Sequence, residues 1–132
     1  MTFIFKWPVT VYYEDTDAGG VVYHSNYLKF FERARTEMLR HKGISQYDLL
    51  SENIGFVVRH IDIDFMQAAK LDDKLTVITT VSEVKKASMV FCQEIVNLEQ
   101  RTLCKAIVKV ACVNNKKMKP QAIPNSIIAE LN

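Results

Sequence analysis

The sequence predicts an α+β domain in which one long, buried helix is wrapped by a five-stranded antiparallel sheet. Two changes of apolar period carry this prediction. Apolar residues recur at helical spacing between residues 26 and 42, and they alternate with polar residues over most of 56–114. A chain of 132 residues is expected to form one domain spanning residues 1–132 with a sizeable core.

The first strand is expected over residues 6–13. Trp7, Val9, Val11 and Tyr13 share one parity there and are predicted to face the core. A loop over residues 14–24 follows, and it leads directly into the long helix.

The long helix is expected over residues 26–42. Ser25 is a plausible N-cap, and Gly43 suits the left-handed position that ends a helix. A shorter helix is expected over residues 46–52, and Pro124 is expected to open a terminal one. The predicted core positions of the long helix are Tyr27, Phe30, Phe31, Ala34 and Met38.

Four strands are expected in succession between residues 56 and 114, separated by turns at 71–74, 85–86 and 97–102. A sheet of this kind leaves an edge and an outer face that dimerisation could cover. The predicted core-facing residues of the four strands are Val57, Ile61, Ile63 and Phe65; Leu75, Val77, Thr79 and Val81; Met89, Phe91, Gln93 and Ile95; and Cys104, Ala106, Val108, Val110 and Cys112.

Composition excludes several classes of protein. The formal net charge of +2 argues against nucleic-acid binding through a strong basic field. No apolar run is long enough to span a membrane, and the N-terminus does not read as a signal peptide. The three cysteines, Cys92, Cys104 and Cys112, fit core positions in a reducing compartment, so a cytoplasmic location is expected.

Residues 13–27 are the most informative segment for function. This segment packs three carboxylates, two adjacent glycines, a histidine and three tyrosines just before the long helix. A carboxylate can attack a carbonyl or activate water, and the N–H groups of a helix N-terminus can stabilise an oxyanion. The same pattern also fits a turn whose carboxylate satisfies local backbone N–H groups.

The segment Glu-Asp-Thr-Asp-Ala-Gly-Gly-Val-Val-Tyr-His-Ser-Asn-Tyr over residues 14–27, followed by Phe-Glu-Arg-Ala-Arg over 31–35, resembles the hotdog-fold thioesterases. Within them it is similar to the 4-hydroxybenzoyl-CoA thioesterase-like branch, and there to the bacterial acyl-CoA thioesterases associated with the Tol-Pal cell-envelope system. The similarity covers residues 7–124.

This resemblance implies a hotdog fold and the hydrolysis of an acyl-CoA thioester without a metal or other cofactor, coenzyme A being part of the substrate. It also implies a homodimer, often a tetramer formed as a dimer of dimers, with active sites between subunits. Acyl carrier protein, or peripheral partners in the cell envelope at the inner membrane, are further expected contacts.

The resemblance places the catalytic carboxylate at Asp17 and the carbonyl-polarising backbone N–H at His24. Gly20 and Tyr23 are assigned to the same catalytic loop, where glycine permits backbone angles that side chains forbid. The His24 side chain could also assist proton transfer, but its N–H is the expected contributor. The predicted substrate contacts are Val22, Asn26, Tyr27, Arg59, Lys85, Lys86 and Ser88.

Several of these positions have alternatives. Glu32 is a rival catalytic carboxylate, although the arginines beside it favour an ion-pair or interface role. Arg59 could instead lie at a surface or subunit interface, and Tyr27 in the core. Lys85, Lys86 and Ser88 suit phosphate contacts at a strand turn, and a weaker second cluster comprises Lys116, Lys117 and Lys119.

Two other functions use the same architecture. A hotdog dehydratase needs a Gly-His-Phe-Pro-like loop, which this chain lacks, since His24 sits in Tyr-His-Ser-Asn. A non-catalytic acyl-CoA-binding or scaffold protein is disfavoured by the intact Asp17 and glycine turn.

A metal site at Asp15, Asp17 and His24 matches no strong ligand spacing. The aromatic residues near the site favour a short-chain or small aromatic acyl group.

Overall fold

The computed structural model describes residues 3–132, which form one antiparallel sheet around a long helix. The strands are β1 (Phe5–Thr10), β2 (Ile54–Phe65), β3 (Lys74–Val84), β4 (Ser88–Val96), β5 (Thr102–Asn114) and the short β6 (Lys119–Pro120); the helices are α1 (Asn26–His41), α2 (Gln46–Ser51) and α3 (Asn125–Leu131). None of these helices is long and apolar enough to cross a bilayer.

The sheet has the strand order β1-β3-β4-β5-β2, and β6 adds two residues alongside the end of β5. All pairs are antiparallel. Because β1 and β2 stand at the two ends of this order, they are the outer strands. We call the end where β1 finishes and β3 begins the loop end, because residues 11–24 follow β1 there. The opposite end, which carries the turn between β3 and β4, is the far end.

Helix α1 begins at the loop end and runs across the sheet in the direction of the far end. The Tyr27 ring lies 5.6 Å from Phe65 at the loop end, and the His41 ring lies 5.7 Å from Phe5, which pairs with Thr79 midway along β3. All five predicted core positions of the helix are buried. Each large apolar side chain buried in this way stabilises the fold by about 1.5–3 kcal/mol.

A buried glutamine fixes the helix to the sheet at mid-length. The side-chain amide of Gln93 on β4 donates to the carbonyl of Phe31, at 2.9 Å, and to the hydroxyl of Thr79, at 3.0 Å. Its oxygen accepts a hydrogen bond from Arg35, also at 3.0 Å. Because unsatisfied buried polar groups are costly, this network favours one seating of the helix on the strands.

The first strand is shorter than the sequence predicts. It ends at Thr10, and residues Tyr13–Asp15 form a 3-10 turn that leaves Tyr13 82% exposed. The Asp15 carboxylate accepts the N–H of Tyr12 at 2.9 Å, which turns the chain away from the sheet. The prediction that Tyr13 faces the core is therefore wrong, whereas Val11 is buried.

A bulge in β2 overturns one further assignment. Val58 pairs with Val110 and His60 pairs with Lys109, so Arg59 is an extra residue that reverses the alternation of side chains. Phe56 before the bulge and Ile61 after it pack against the core, while Val57 is exposed. The sequence, read with one uninterrupted alternation, placed Val57 on the wrong face.

The three cysteines differ in their surroundings. Cys104 and Cys112 are buried, but Cys92 is half-buried on the outer face of the sheet, so its predicted core position is wrong. Burial raises the pKa of the Cys104 thiol to about 12, with a further contribution from Asp64, and burial also raises the pKa of Cys112.

We expect only Cys92 to react with a maleimide in the native protein at about pH 8, because thiols with raised pKa are protonated and unreactive. Mass spectrometry should show one adduct per native chain and three after denaturation in guanidinium. Cys92→Ser should then remain unlabelled while folded. Rapid native labelling of Cys104 would contradict its burial.

Candidate active site

Asp15 anchors the loop that follows β1. Its side chain is buried, and its backbone carbonyl accepts two hydrogen bonds, from the N–H of Tyr23 at 2.9 Å and from the Asn26 side-chain amide at 2.8 Å. Asn26 is the first residue of α1, and Tyr23 lies in the loop just before the helix. The anchor therefore holds the loop against the helix N-terminus.

Asp17 lies at the exposed bend of this loop. Its Oδ1 accepts the N–H of Gly19 at 2.8 Å, and its carbonyl accepts the N–H of Gly20 at 3.1 Å. Gly20 has φ +78°, a left-handed conformation that favours glycine, and a Cβ at Gly19 would lie 3.2 Å from the same Oδ1. The carboxylate is thus held in an Asx turn by one oxygen, and Oδ2 has no hydrogen bond within residues 3–132.

The N-terminus of α1 keeps an open donor beside this carboxylate loop. Asn26 donates its N–H to the carbonyl of Tyr23, at 2.8 Å, but the N–H of His24 has no acceptor among the described residues. Ser25 stands at the N-cap position in a right-handed helical conformation, with φ −65° and ψ −24°, and its side chain caps nothing. The predicted N-cap position is therefore confirmed, although the Ser25 side chain makes no capping bond, and the donor at His24 stays available to a ligand.

Aromatic side chains form a wall beside His24. The Tyr23 ring lies 4.6 Å from the imidazole, and Phe65 meets it edge-on at 6.2 Å. Phe65 is 51% exposed although the strand alternation predicted a core position. Sequence analysis missed it as a site residue because only the pairing of β2 with β5 brings it to the loop end.

Val22 and Tyr27 lie behind the loop rather than at its surface. Val22 donates its N–H to the carbonyl of Ala69 at 2.8 Å, and the Tyr27 hydroxyl accepts the N–H of Ala69 at 3.0 Å. Both side chains are buried, and burial raises the pKa of the Tyr27 phenol. Their contacts in the folded chain are with the core and with residues 69–70.

The predicted phosphate contacts are not brought to this loop within one chain. Lys85, Lys86 and Ser88 lie at the far end, which is about 30 Å from the start of β3 given the rise of ten residues of strand. Lys85 there contacts Glu83 at 3.3 Å. Arg59 lies at the bulge midway along β2.

The second lysine cluster belongs to the same far end. Ile123 donates its N–H to the carbonyl of Lys86, and β6 pairs with the last residues of β5, so the hairpin over 114–119 lies beside the turn at 85–86. The clusters that the sequence treated separately therefore share one end of the sheet. Within residues 3–132, no three metal-ligating side chains converge.

Comparisons with known proteins identify the family. The family described as the thioesterase superfamily matches residues 19–104. Acyl-CoA thioester hydrolase YbgC of Escherichia coli O6:H1 is 54% identical over 129 residues, covering 98% of this chain and 96% of its own. Acyl-CoA thioesterase YbgC of Haemophilus influenzae is 56% identical over 126 residues, covering 95% and 92%.

Solved structures show the same architecture. A probable thioesterase from Bartonella henselae is 38% identical with a TM-score of 0.85, covering 92% of this chain and 100% of that one. A 1,4-dihydroxy-2-naphthoyl-CoA thioesterase from Synechocystis has a TM-score of 0.91 at 24% identity, covering 98% and 96%, and shows the fold alone. The chain belongs to the thioesterase superfamily, which confirms the predicted hotdog fold and the predicted enzyme class.

The position of the Asn26 amide yields a prediction about the loop. Asn26→Ala should cost about 1 kcal/mol of stability by removing the hydrogen bond to Asp15, and should lower kcat about tenfold by loosening the loop. Thermal unfolding and steady-state kinetics measure both effects. Ser25→Ala is the matched control, and its stability should change by less than about 0.5 kcal/mol because that hydroxyl caps nothing. Equal losses in the two variants would contradict the assignment.

Proposed function

We propose that this thioesterase hydrolyses acyl-CoA to the free acid and coenzyme A, with Asp17 as its catalytic carboxylate. The single observation that carries the proposal is the pairing of an oriented carboxylate with an open helix N-terminal donor. Asp17 is held through Oδ1 by Gly19, and the His24 N–H lacks an acceptor within residues 3–132. The names of the relatives from Escherichia coli and Haemophilus influenzae support acyl-CoA as the substrate class.

The thioester carbonyl oxygen would accept the N–H of His24, where the partial positive charge of the helix stabilises the developing oxyanion. One such donor contributes about 3 kcal/mol to the transition state. The unbonded Oδ2 of Asp17 then acts at the carbonyl carbon. It either attacks directly, releasing coenzyme A thiolate and leaving a mixed anhydride that water hydrolyses, or it deprotonates the attacking water.

The remaining loop residues shape the reaction site. Gly20 supports the turn that presents Asp17, and Tyr23 with Phe65 encloses the space beside His24. This aromatic wall favours short-chain or small aromatic acyl groups. Val22 and Tyr27 affect substrate binding indirectly, because they pack behind the loop and support it. Asn26 does so by holding the loop to the helix.

We further propose a homodimer formed by pairing of β2 with its counterpart. Strand β2 is an outer strand of 12 residues with half-exposed valines at 57 and 58, and such an edge is a template for strand pairing. Antiparallel pairing about its midpoint would set the far end of one protomer against the loop end of the other. The predicted phosphate contacts Lys85, Lys86 and Ser88 would then flank the partner's catalytic loop.

A tetramer of two such dimers, a reaction without metal or other cofactor, and contacts with acyl carrier protein or envelope proteins at the inner membrane stay predictions from the resemblance. The cytoplasmic location stays a prediction from the cysteines, and the single domain stays a prediction from the chain length. The lysines at the far end supply charge that suits either the phosphates of coenzyme A or an acidic carrier.

Asp17→Asn should lower kcat by about 100- to 10,000-fold, because the amide can neither attack nor accept a proton. Thiol release measured with a chromogenic reagent across acetyl- to palmitoyl-CoA and 4-hydroxybenzoyl-CoA reports the loss, and binding of acyl-CoA should persist. Glu14→Gln, an exposed neighbour in the same loop, should keep wild-type turnover.

Glu32→Gln tests the rival carboxylate in the same assay. Retained activity in Asp17→Asn with loss in Glu32→Gln would move the catalytic role to α1. Acyl-CoA binding without any turnover in the wild type would instead support a binding or scaffold protein.

Val57→Asp should dissociate the dimer, because it places a charge on the strand that pairs with its copy. Light scattering coupled to size exclusion should give a mass near 15.2 kDa for the variant and at least twice that for the wild type. Ile107→Asp is the matched control, since Ile107 is 45% exposed and Val57 is 39% exposed but Ile107 lies on an inner strand. A wild-type monomer, or dissociation by the control alone, would contradict pairing through β2.

A further inference from the structure

Arg35 is a buried cation without an anionic partner. It lies on the sheet-facing side of α1 and is only 8% exposed. Its Nη1 donates to Gln93 at 3.0 Å, and its guanidinium carbon lies 6.0 Å from the centre of the Phe91 ring. Among residues 3–132, no carboxylate oxygen comes within salt-bridge distance of it.

The other guanidinium donors of Arg35 make no hydrogen bond but remain accessible. Nε and Nη2 have no hydrogen-bond partner in the described chain. Because every fully inaccessible side-chain nitrogen or oxygen there has a partner, these two unbonded atoms are reachable from outside the protein. Burial lowers the pKa of Arg35, and the negative charge of Glu32 opposes that shift. A buried guanidinium with open donors is costly unless an acceptor reaches it.

A small cleft of about 50 Å³ gives access to these donors. Its walls combine the helix face with the first half of β2, through Phe56 and Val58, and Glu32 stands on its exposed side. The space suits a small group such as a carboxylate. The other residues that line the cleft are Thr36, Leu39, Gln46, Met89, Phe91 and Val110.

We propose that this cleft, contributed by the partner protomer, binds a carboxylate at the far end of the acyl group. The inference rests on the proposed function, because the β2-paired dimer is what brings the cleft to the catalytic loop. Phe65, which contacts His24, lies at one end of β2, and Phe56, which lines the cleft, lies near the other. Antiparallel pairing of two such strands sets the cleft of each chain beside the loop of the other.

The chemistry of Arg35 selects the ligand class. Two open donors of one guanidinium form a planar fork that matches both oxygens of a carboxylate. Such a ligand also supplies a carboxylate in direct contact with the buried cation, which no described carboxylate provides. Glu32 lies on the exposed side of the cleft, where the high dielectric of water weakens its repulsion of the bound carboxylate. The substrates are therefore short dicarboxylic monothioesters of coenzyme A.

Matched substrate pairs test this selectivity. Succinyl-, glutaryl- and adipyl-CoA are compared with butyryl-, valeryl- and hexanoyl-CoA, which replace the carboxylate by a methyl group at equal chain length. At one of the three lengths, wild-type kcat/KM should favour the carboxylate by about tenfold or more. Arg35→Met should lower that ratio at least tenfold while changing kcat/KM for the methyl-ended partner less than threefold.

Two controls accompany these measurements. Succinyl and glutaryl thioesters also cleave themselves through cyclic anhydrides, so the rate with Asp17→Asn is subtracted. Arg33→Met, an exposed arginine on the same helix, should leave all three ratios unchanged.

Wild-type preference for the methyl-ended member at all three lengths would overturn the proposal without any variant, and so would an unchanged ratio in folded Arg35→Met. Dissociation of the Arg35→Met dimer with parallel losses on both members of a pair would assign Arg35 to the subunit interface instead. Turnover of the methyl-ended substrates by wild type but not by Asp17→Asn supports the proposed function whether or not the carboxylate preference is found. Absence of turnover on all six would count against that function itself.

Discussion

Burial of the apolar face of α1 in the curved sheet is the constraint on which the rest of the structure depends. Phe30 and Phe31 are almost fully enclosed, and Gln93 fixes the carbonyl of Phe31 to β3 and β4. Once the helix is seated, its N-terminus has one position, at the loop end of the sheet. The functional site is consequently located by core packing, and the loop needs only to meet it.

The loop meets the helix through polar contacts that leave selected groups unbonded. The Asp15 carboxylate and carbonyl both accept hydrogen bonds from the loop and the start of the helix, whereas only one carboxylate oxygen of Asp17 accepts a hydrogen bond, from Gly19. The N–H of His24, just before the N-cap residue Ser25, has no acceptor among the described residues and stays open. Asp15 therefore anchors the loop and Asp17 points an unbonded oxygen outward, although the two residues have the same side chain.

Much of this could be predicted from the sequence because periodicity is a local signal. The buried face of α1 and the alternation in β3 to β5 follow from it directly, and the helix end at Gly43 follows from the preference of the left-handed position for glycine. The bulge at Arg59 could not be read in the same way, since an extra residue shows only in the pairing with β5. Phe65 was missed for a related reason, because its contact with His24 joins residues 41 positions apart.

The candidate site was less predictable than the fold because it depends on which polar groups remain unpaired. The motif identified Asp17 and His24, but only coordinates show that Asn26 binds the carbonyl of Asp15. The burial of Arg35 without a carboxylate is likewise invisible in a run of charged helix residues. The lysines lie at the far end, so one chain alone does not bring together all the predicted substrate contacts.

The most direct test of the central claim is a crystal structure of Asp17→Asn with intact butyryl-CoA. We expect the thioester carbonyl oxygen to lie about 3 Å from the backbone nitrogen of His24, with the side chain at position 17 facing the carbonyl carbon. We also expect the far end of the partner protomer to flank the coenzyme A phosphates. A thioester bound away from the start of α1, or bound entirely within one protomer, would contradict the account.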